Sequence, residues 1–189
     1  MVKFNIAKAD LKYLFDVTKS SMGCVGLDKK RQYVKFTGRD GHLQAFSLDG
    51  YRAHIAAAPI DILEGNQHFS FLLKPFALPA TNAFFIQCSL DKEKGEIMFD
   101  FGNRKFIETL GEGDGEFFNI EQALPKDPPV EQIGINPKYI VDAVKSFRRN
   151  ARSPVVFEIR SPTSPIIIRS SEDPNDFRLV MPTRVTKAR

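Results

Sequence analysis

The sequence predicts an α+β fold: antiparallel sheets with helices on one face, built from a strand-helix-three-strand unit that is used three times. Two observations predict it. A short alternating strand leading into a helical stretch opens at Phe4, at Phe69 and at Ile133, about 65 residues apart. Each opening is followed by alternating apolar and polar runs separated by turn signals.

In the first unit Phe4-Asn5-Ile6 alternates as a strand, and Leu11, Leu14, Phe15 and Thr18 then fall at the i, i+3, i+4 and i+7 positions of one helix face. Strands follow at 32–37, 43–47 and 53–58, with hairpin signals at Arg39-Asp40-Gly41 and Asp49-Gly50 between them. The second unit opens with Phe69-Ser70-Phe71 and places its helix at Leu73-Lys74-Pro75-Phe76-Ala77-Leu78. Its strands are 84–90, 96–101 and 105–110, turned at Lys92-Glu93-Lys94-Gly95 and Gly102-Asn103. The third unit opens with Ile133-Gly134-Ile135 and a helix from Pro137 to about Arg149, with Asn136 as N-cap and Pro137 at the first helical position. Strands at 155–160, 166–169 and 177–181 complete it, interrupted at 161–165 and 170–176.

Neither the helix nor the strands of such a unit bury their apolar side alone, so two units make the smallest stable domain. Residues 1–120 are expected to form one complete domain, residues 121–130, with Pro125, Pro128 and Pro129, a semi-rigid linker, and residues 131–189 a half-domain. The half-domain's stripe of Ile140, Ala143, Val144 and Phe147 needs a partner, and a second copy across a two-fold axis supplies one. A homodimer through residues 131–189 is expected.

The 189 residues are 42% hydrophobic and 26% charged, the composition of a folded globular protein. No apolar run reaches the roughly 18 residues of a membrane span, and Met1-Val2-Lys3-Phe4-Asn5 is not the start of a signal peptide, so a cytoplasmic location is expected. Cys24 and Cys88 have no ligand-like neighbours and read as buried reduced thiols. His42, His54 and His68 lie in or beside strands without a base, nucleophile or metal pattern. Gly111, Gly113 and Gly115 alternate with acids where a phosphate would need donors, so they read as a loop. No catalytic, metal or cofactor constellation is present.

The chain carries a net +4, and the third helix concentrates it: Lys138, Lys145, Arg148, Arg149 and Arg152 stand against Asp142 alone. Positions 138, 142, 145, 149 and 152 share the face opposite the apolar stripe. That face is either a solvated basic surface or a cluster that meets phosphates without reading bases. Lys8, Lys12 and Lys19 flank the first helix in the same way.

Three stretches in order resemble the bacterial DNA polymerase III beta sliding clamp family: Asp49-Gly50-Tyr51-Arg52-Ala53, similar to its Asp-Gly-His-Arg-Leu turn; Asn136 to Ala143, similar to its Asn-x-x-Tyr-Leu-Leu-Asp-Ala helix start; and Met181-Pro182-Thr183-Arg184-Val185, similar to its closing Met-Pro-x-Arg-Leu. Ser164-Pro165-Ile166 resembles the Ser-Pro-Val before a clamp strand, and Phe117-Phe118-Asn119 through Pro125 stands where the family has Phe-Pro-Asp-Tyr and a following Leu-Pro. The likeness is to a short form: the middle domain plus the second half of the third. Tyr51 and Ala53 depart from the family's His and Leu.

The resemblance implies a DNA-clamp fold and a non-enzymatic processivity factor of DNA replication or repair, with duplex DNA and partner proteins carrying short apolar peptides. It places a peptide pocket at Gly50, Tyr51, Arg52, Ala53, Pro125, Asn136, Tyr139, Ser164, Pro165, Met181, Pro182, Thr183, Arg184 and Val185. It places DNA contacts at Lys8, Lys12, Lys19, Lys138, Lys145, Arg148, Arg149 and Arg152. The family's ring has twelve repeat units, so a closed ring of three-unit chains would take four of them, a tetrameric ring; an open dimeric arc with a peptide pocket is equally consistent. The alternative is an adaptor or regulator that keeps the pocket and does not encircle DNA.

Overall fold

The computed structural model describes residues 1–23, 29–49, 52–113, 117–118, 132–147, 154–171 and 177–183. They belong to two compact units, Met1–Ile120 and Glu121–Arg189. Cys24 and the linker expected at 121–130 lie outside the described residues.

The first unit runs β1 (Val2–Ala7), α1 (Lys8–Lys19), a 3-10 turn (Lys29–Gln32), β2 (Val34–Arg39), β3 (His42–Leu48), β4 (Ala53–Glu64), β5 (Phe69–Leu73), β6 (Phe85–Asp91), β7 (Glu96–Asp100) and β8 (Lys105–Thr109). All eight strands join one antiparallel sheet in the order β5-β2-β3-β4-β1-β6-β7-β8. The Asp40-Gly41 hairpin turns as its sequence dictates: both residues have positive φ, 50° and 73°, as a two-residue loop matching the strand twist requires.

The two repeats of this unit exchange strands. β1 pairs β4 of its own repeat and, on its other edge, β6 of the next. β5 pairs β2 of the first repeat and meets the end of its own repeat at an isolated Leu72–Gly111 bridge, where Gly111 N–H donates to Leu72 O at 2.8 Å. Each repeat's opening strand therefore links its own last strand to its neighbour's second.

The second repeat departs from expectation. Residues 74–83 form no helix but an irregular segment between β5 and β6. Pro75 and Pro79 are the cause: a proline at position 79 removes one i to i−4 hydrogen bond and its ring collides with the carbonyl of residue 75. Phe76 takes over the missing helix's packing, its ring 5.3 Å from Phe15 of α1 and 5.1 Å from Phe99 of β7.

α1 buries Leu11, Leu14, Phe15 and Thr18 against the sheet. Phe36 stacks on Phe71 at 5.1 Å as a cross-strand pair that joins β2 to the exchanged β5, and Phe4 stacks on Phe69 at 5.3 Å across the core, between strands that are not neighbours in the sheet. The helix has no side-chain N-cap; Lys8 N–H instead donates to Phe84 O at 2.8 Å. At its other end Ser47 Oγ donates to Thr18 O at 2.7 Å, and His54 Nδ1 sits 3.0 Å from Val17 O. These bonds satisfy carbonyls that the last turn leaves open.

The second unit contains α2 (Pro137–Lys145), β9 (Val155–Glu158), β10 (Ile166–Ser170) and β11 (Phe177–Val180). Its sheet has the order β11-β10-β9. The opening strand expected at 133–135 is reduced to one bridge, Gly134 to Thr183, with Thr183 N–H donating to Gly134 O at 2.8 Å. Ile140, Ala143 and Phe147 of the helical stripe pack on Ile166, Ile168 and Val180. Arg178 closes the helix: Nε donates to Ser146 Oγ at 2.7 Å and the guanidinium lies 4.4 Å from the Phe147 ring centre.

Candidate docking and nucleic-acid surfaces

The residues expected at a peptide pocket fall in both units. In the first, the β3–β4 connection is held by its ends. Arg52 N–H donates to Asp49 Oδ1 at 3.1 Å, Arg52 Nε to Asp49 Oδ2 at 2.9 Å, and Asp49 N–H to Arg52 O at 3.2 Å. Arg52 is thus aligned by a carboxylate while its side chain stays exposed, and Ala53 begins β4 exposed opposite Leu48. Gly50 and Tyr51 lie outside the described residues.

Beside this turn is a second small core that sequence reasoning missed. Phe46, Leu48 and Leu72 project from the sheet face opposite Phe36 and Phe71, and Phe117 covers them, its ring 5.6 Å from Phe46 and perpendicular to it. Ile55, opposite Phe46 in the register, and Phe118 remain 41% and 48% exposed at its rim. The signal available was the apolar Phe46 and Leu48 at positions that strict alternation would make polar.

In the second unit Asn136 caps α2 as expected, Oδ1 accepting from Lys138 N–H at 3.0 Å with Pro137 following. One residue beyond the last registered pair, Ile166 with Val180, stand Pro165 and Met181; two residues further Thr183 meets Gly134 just before the Asn136 cap. Ser164 is fixed by Ser161, whose Oγ accepts from Ser164 N–H at 3.0 Å. Met181 is 59% exposed and Tyr139 52%, while Pro182 is half-buried. Pro125, Arg184 and Val185 lie outside the described residues.

The basic residues divide. Lys8 Nζ donates to Thr81 O at 2.7 Å, tying α1 to the irregular segment, and Lys12 pairs with Asp16. Lys19 is exposed, as are Lys138 and Lys145 on α2. Arg148, Arg149 and Arg152 lie outside the described residues. Lys8, Lys12 and Lys19 line a groove of about 480 Å³ between α1 and Pro75–Ala80, floored by Phe15, Phe76 and Leu78. Among the described residues no cluster of three His, Cys, Asp or Glu side chains could hold a metal, and no helix is long and apolar enough to cross a membrane. Burial pushes the Cys88 thiol far above its ordinary range.

Repeated units with an exchanged antiparallel sheet and amphipathic helices define the DNA-clamp class of fold. Within that class the chain is similar to the bacterial DNA polymerase sliding clamp, the DNA polymerase III beta subunit. It superposes on the sliding clamp of Bacillus subtilis with a TM-score of 0.63 at 15% identity, covering 97% of this chain and 64% of that one. The Thermotoga maritima beta subunit gives a TM-score of 0.55 at 14% identity over 98% of this chain and 66% of its own. The Pseudomonas aeruginosa beta subunit gives 0.62 at 12% identity, over 98% and 67%. The chain therefore spans about two thirds of the length of the clamps it resembles. No family model and no curated protein matches the sequence.

Proposed function

We propose that this chain is a non-enzymatic, clamp-like tether of DNA replication or repair. It docks short apolar peptides of partner proteins and touches duplex DNA through phosphates, without reading sequence. A fold hosts many functions, so the proposal rests on its surfaces. The observation that carries it is Met181, a methionine 59% exposed at a strand end, beside Pro165 and fixed by the Thr183–Gly134 closure. The unit's own core does not require an apolar side chain there. Methionine offers an adaptable apolar contact to a Leu or Phe of an incoming peptide, Tyr139 an aromatic one, and Arg52 and Arg184 polar anchors.

The residues proposed for the peptide are Gly50, Tyr51, Arg52, Ala53, Pro125, Asn136, Tyr139, Ser164, Pro165 and Met181 to Val185. For DNA they are Lys12, Lys19, Lys138, Lys145, Arg148, Arg149 and Arg152; Lys8 holds Thr81 and serves chiefly to shape that surface. Fluorescence anisotropy with a short Leu- and Phe-containing peptide tests the docking reading. Met181→Ala and Tyr139→Ala should each weaken binding by about 1–3 kcal/mol, as truncating an interface anchor does. Wild-type affinity in both variants refutes it. DNA affinity should fall steeply between low and moderate salt and be indifferent to sequence; a salt-independent affinity refutes that half.

A second reading, an adaptor that does not encircle DNA, is favoured by the internal commitment of Lys8 to Thr81. Retention on closed circular against linear duplex separates the two, because only a topological ring escapes through ends.

A further inference from the structure

The irregular segment 74–83 stands where the repeat pattern calls for a helix beside α1, and it fills that place only in part. Phe76 reaches Phe15 and Phe99. Yet Pro75, Phe76, Leu78 and Pro79 all stay half-buried, and a groove of about 480 Å³ is left between them and α1.

We propose that this groove docks an acidic amphipathic helix of a partner protein, with its apolar side chains on the floor and its carboxylates against the lysine rim. The site is separate from the Met181 docking surface and does not rest on the DNA reading, although duplex and helix would both use Lys12 and Lys19.

Three features carry it. The first is shape. Lys8, Lys12, Phe15, Asp16 and Lys19 all line the groove, and their i, i+4, i+7, i+8 and i+11 spacing makes them one flank of α1 over its whole length. That flank is about 18 Å long at the rise of an α-helix. An opening of that length, beside one helix and in the place of another, suits a helix of about three turns. The second is the floor. Phe15, Phe76 and Leu78 offer an apolar strip that a phosphate backbone has no use for, but that the i, i+3, i+4 and i+7 side chains of an amphipathic helix fill. The third is charge: Lys8, Lys12 and Lys19 stand at the rim against Asp16 alone. Lys8 is fixed by the Thr81 carbonyl, a neutral acceptor 2.7 Å away that leaves its charge uncompensated, and Asp16 is taken up by Lys12. Lys19 is exposed and has no carboxylate partner among the described residues. The excess of cations complements a carboxylate-bearing partner. A duplex meets this rim but leaves the floor empty, so the acidic helix is the better match.

The test is isothermal titration of the full chain, without DNA, using a helical peptide of about twelve residues with Leu at i, i+3, i+4 and i+7 and Glu elsewhere. The peptide should bind, with an enthalpy that grows more negative on warming, the mark of apolar burial. No binding, or an enthalpy independent of temperature, overturns the proposal. A scrambled peptide of the same composition should bind at least about tenfold more weakly, since its apolar anchors no longer share a face; equal affinity is a charge effect alone and overturns it. Lys19→Glu and Ala77→Glu alter exposed side chains at the groove and set like charges against the peptide; each should weaken binding about tenfold or more. Ala77→Ser should bind as wild type, and so should Arg104→Glu, which makes the same charge reversal as Lys19→Glu in the exposed β7–β8 turn. Wild-type affinity in both groove variants, or an equal loss in Arg104→Glu, overturns it. A duplex whose binding is weakened by Ala77→Glu, where the peptide does not bind at all, assigns the groove to DNA and likewise overturns it.

Discussion

Replacing Gly38 with Ala tests the strand exchange that organises the first unit. Gly38 lies opposite Phe69 where β5 enters the first repeat's sheet, and the Phe69 ring lies across it. A Cβ at position 38 would stand 2.3 Å from Phe69 Cε1 and Cζ and 2.8 Å from Cδ1. Ordinary carbon contacts begin about an ångström further out. The ring has little room to withdraw: it is 8% exposed, stacked on Phe4 at 5.3 Å and beside Phe71 at 6.3 Å. Overpacking of this kind costs about 1–3 kcal/mol. The smaller entropy of an unfolded chain with Ala returns about 0.4–1 kcal/mol, so the clash wins by about 1–2 kcal/mol. Urea unfolding followed by far-UV circular dichroism should show the midpoint fall by roughly 0.5–1 M at an unchanged slope. In a Phe69→Leu background the same substitution should cost much less, a coupling that only direct contact produces. An equal cost in both backgrounds, or a raised midpoint in the first, refutes the reasoning.

Other outcomes follow from single contacts. In a Cys24→Ala variant, Cys88 should react with a thiol reagent only as fast as the protein opens, without the rise through pH 8–9 of a free cysteine, because burial keeps the thiol protonated; rapid native-state labelling contradicts this. Asp100 is held below the usual carboxylate range by the Gly102 N–H and Lys105, and Asp91 by the Lys94 N–H. A folded-state value below the unfolded one stabilises the fold above about pH 4 and is lost as pH falls through the lowered value, so Asp100→Asn should flatten the acid limb of an unfolding-versus-pH curve. Arg178→Ala removes the cation from the end of α2 and from the Phe147 ring; it should cost about 1 kcal/mol, read as faster amide exchange in α2.

Strand positions, the Asp40-Gly41 turn and the Asn136-Pro137 cap were legible because each is a local matter: alternation, a positive φ, a side-chain amide oxygen as acceptor before a proline. The likeness to clamps rested on ordered short stretches, whose described residues stand at the two ends of the β3–β4 connection, at the start of α2 and just after β11. By itself the sequence determined that one strand-rich unit recurs and that its third copy carries an apolar stripe on a basic helix. The tertiary structure decided the rest. Pro75 and Pro79 cost the second repeat its helix by local chemistry that the chain itself carries, but only the tertiary structure placed Phe76 in the gap against Phe15 and Phe99. Strand exchange between repeats, the Phe117 cover over Phe46 and the diversion of Lys8 to Thr81 likewise depend on which distant segments meet, whereas the Lys12–Asp16 pair is a local i,i+4 contact of α1 that spacing alone offers. Such pairings are set by the packing of whole sheets, and no periodicity along the chain encodes them.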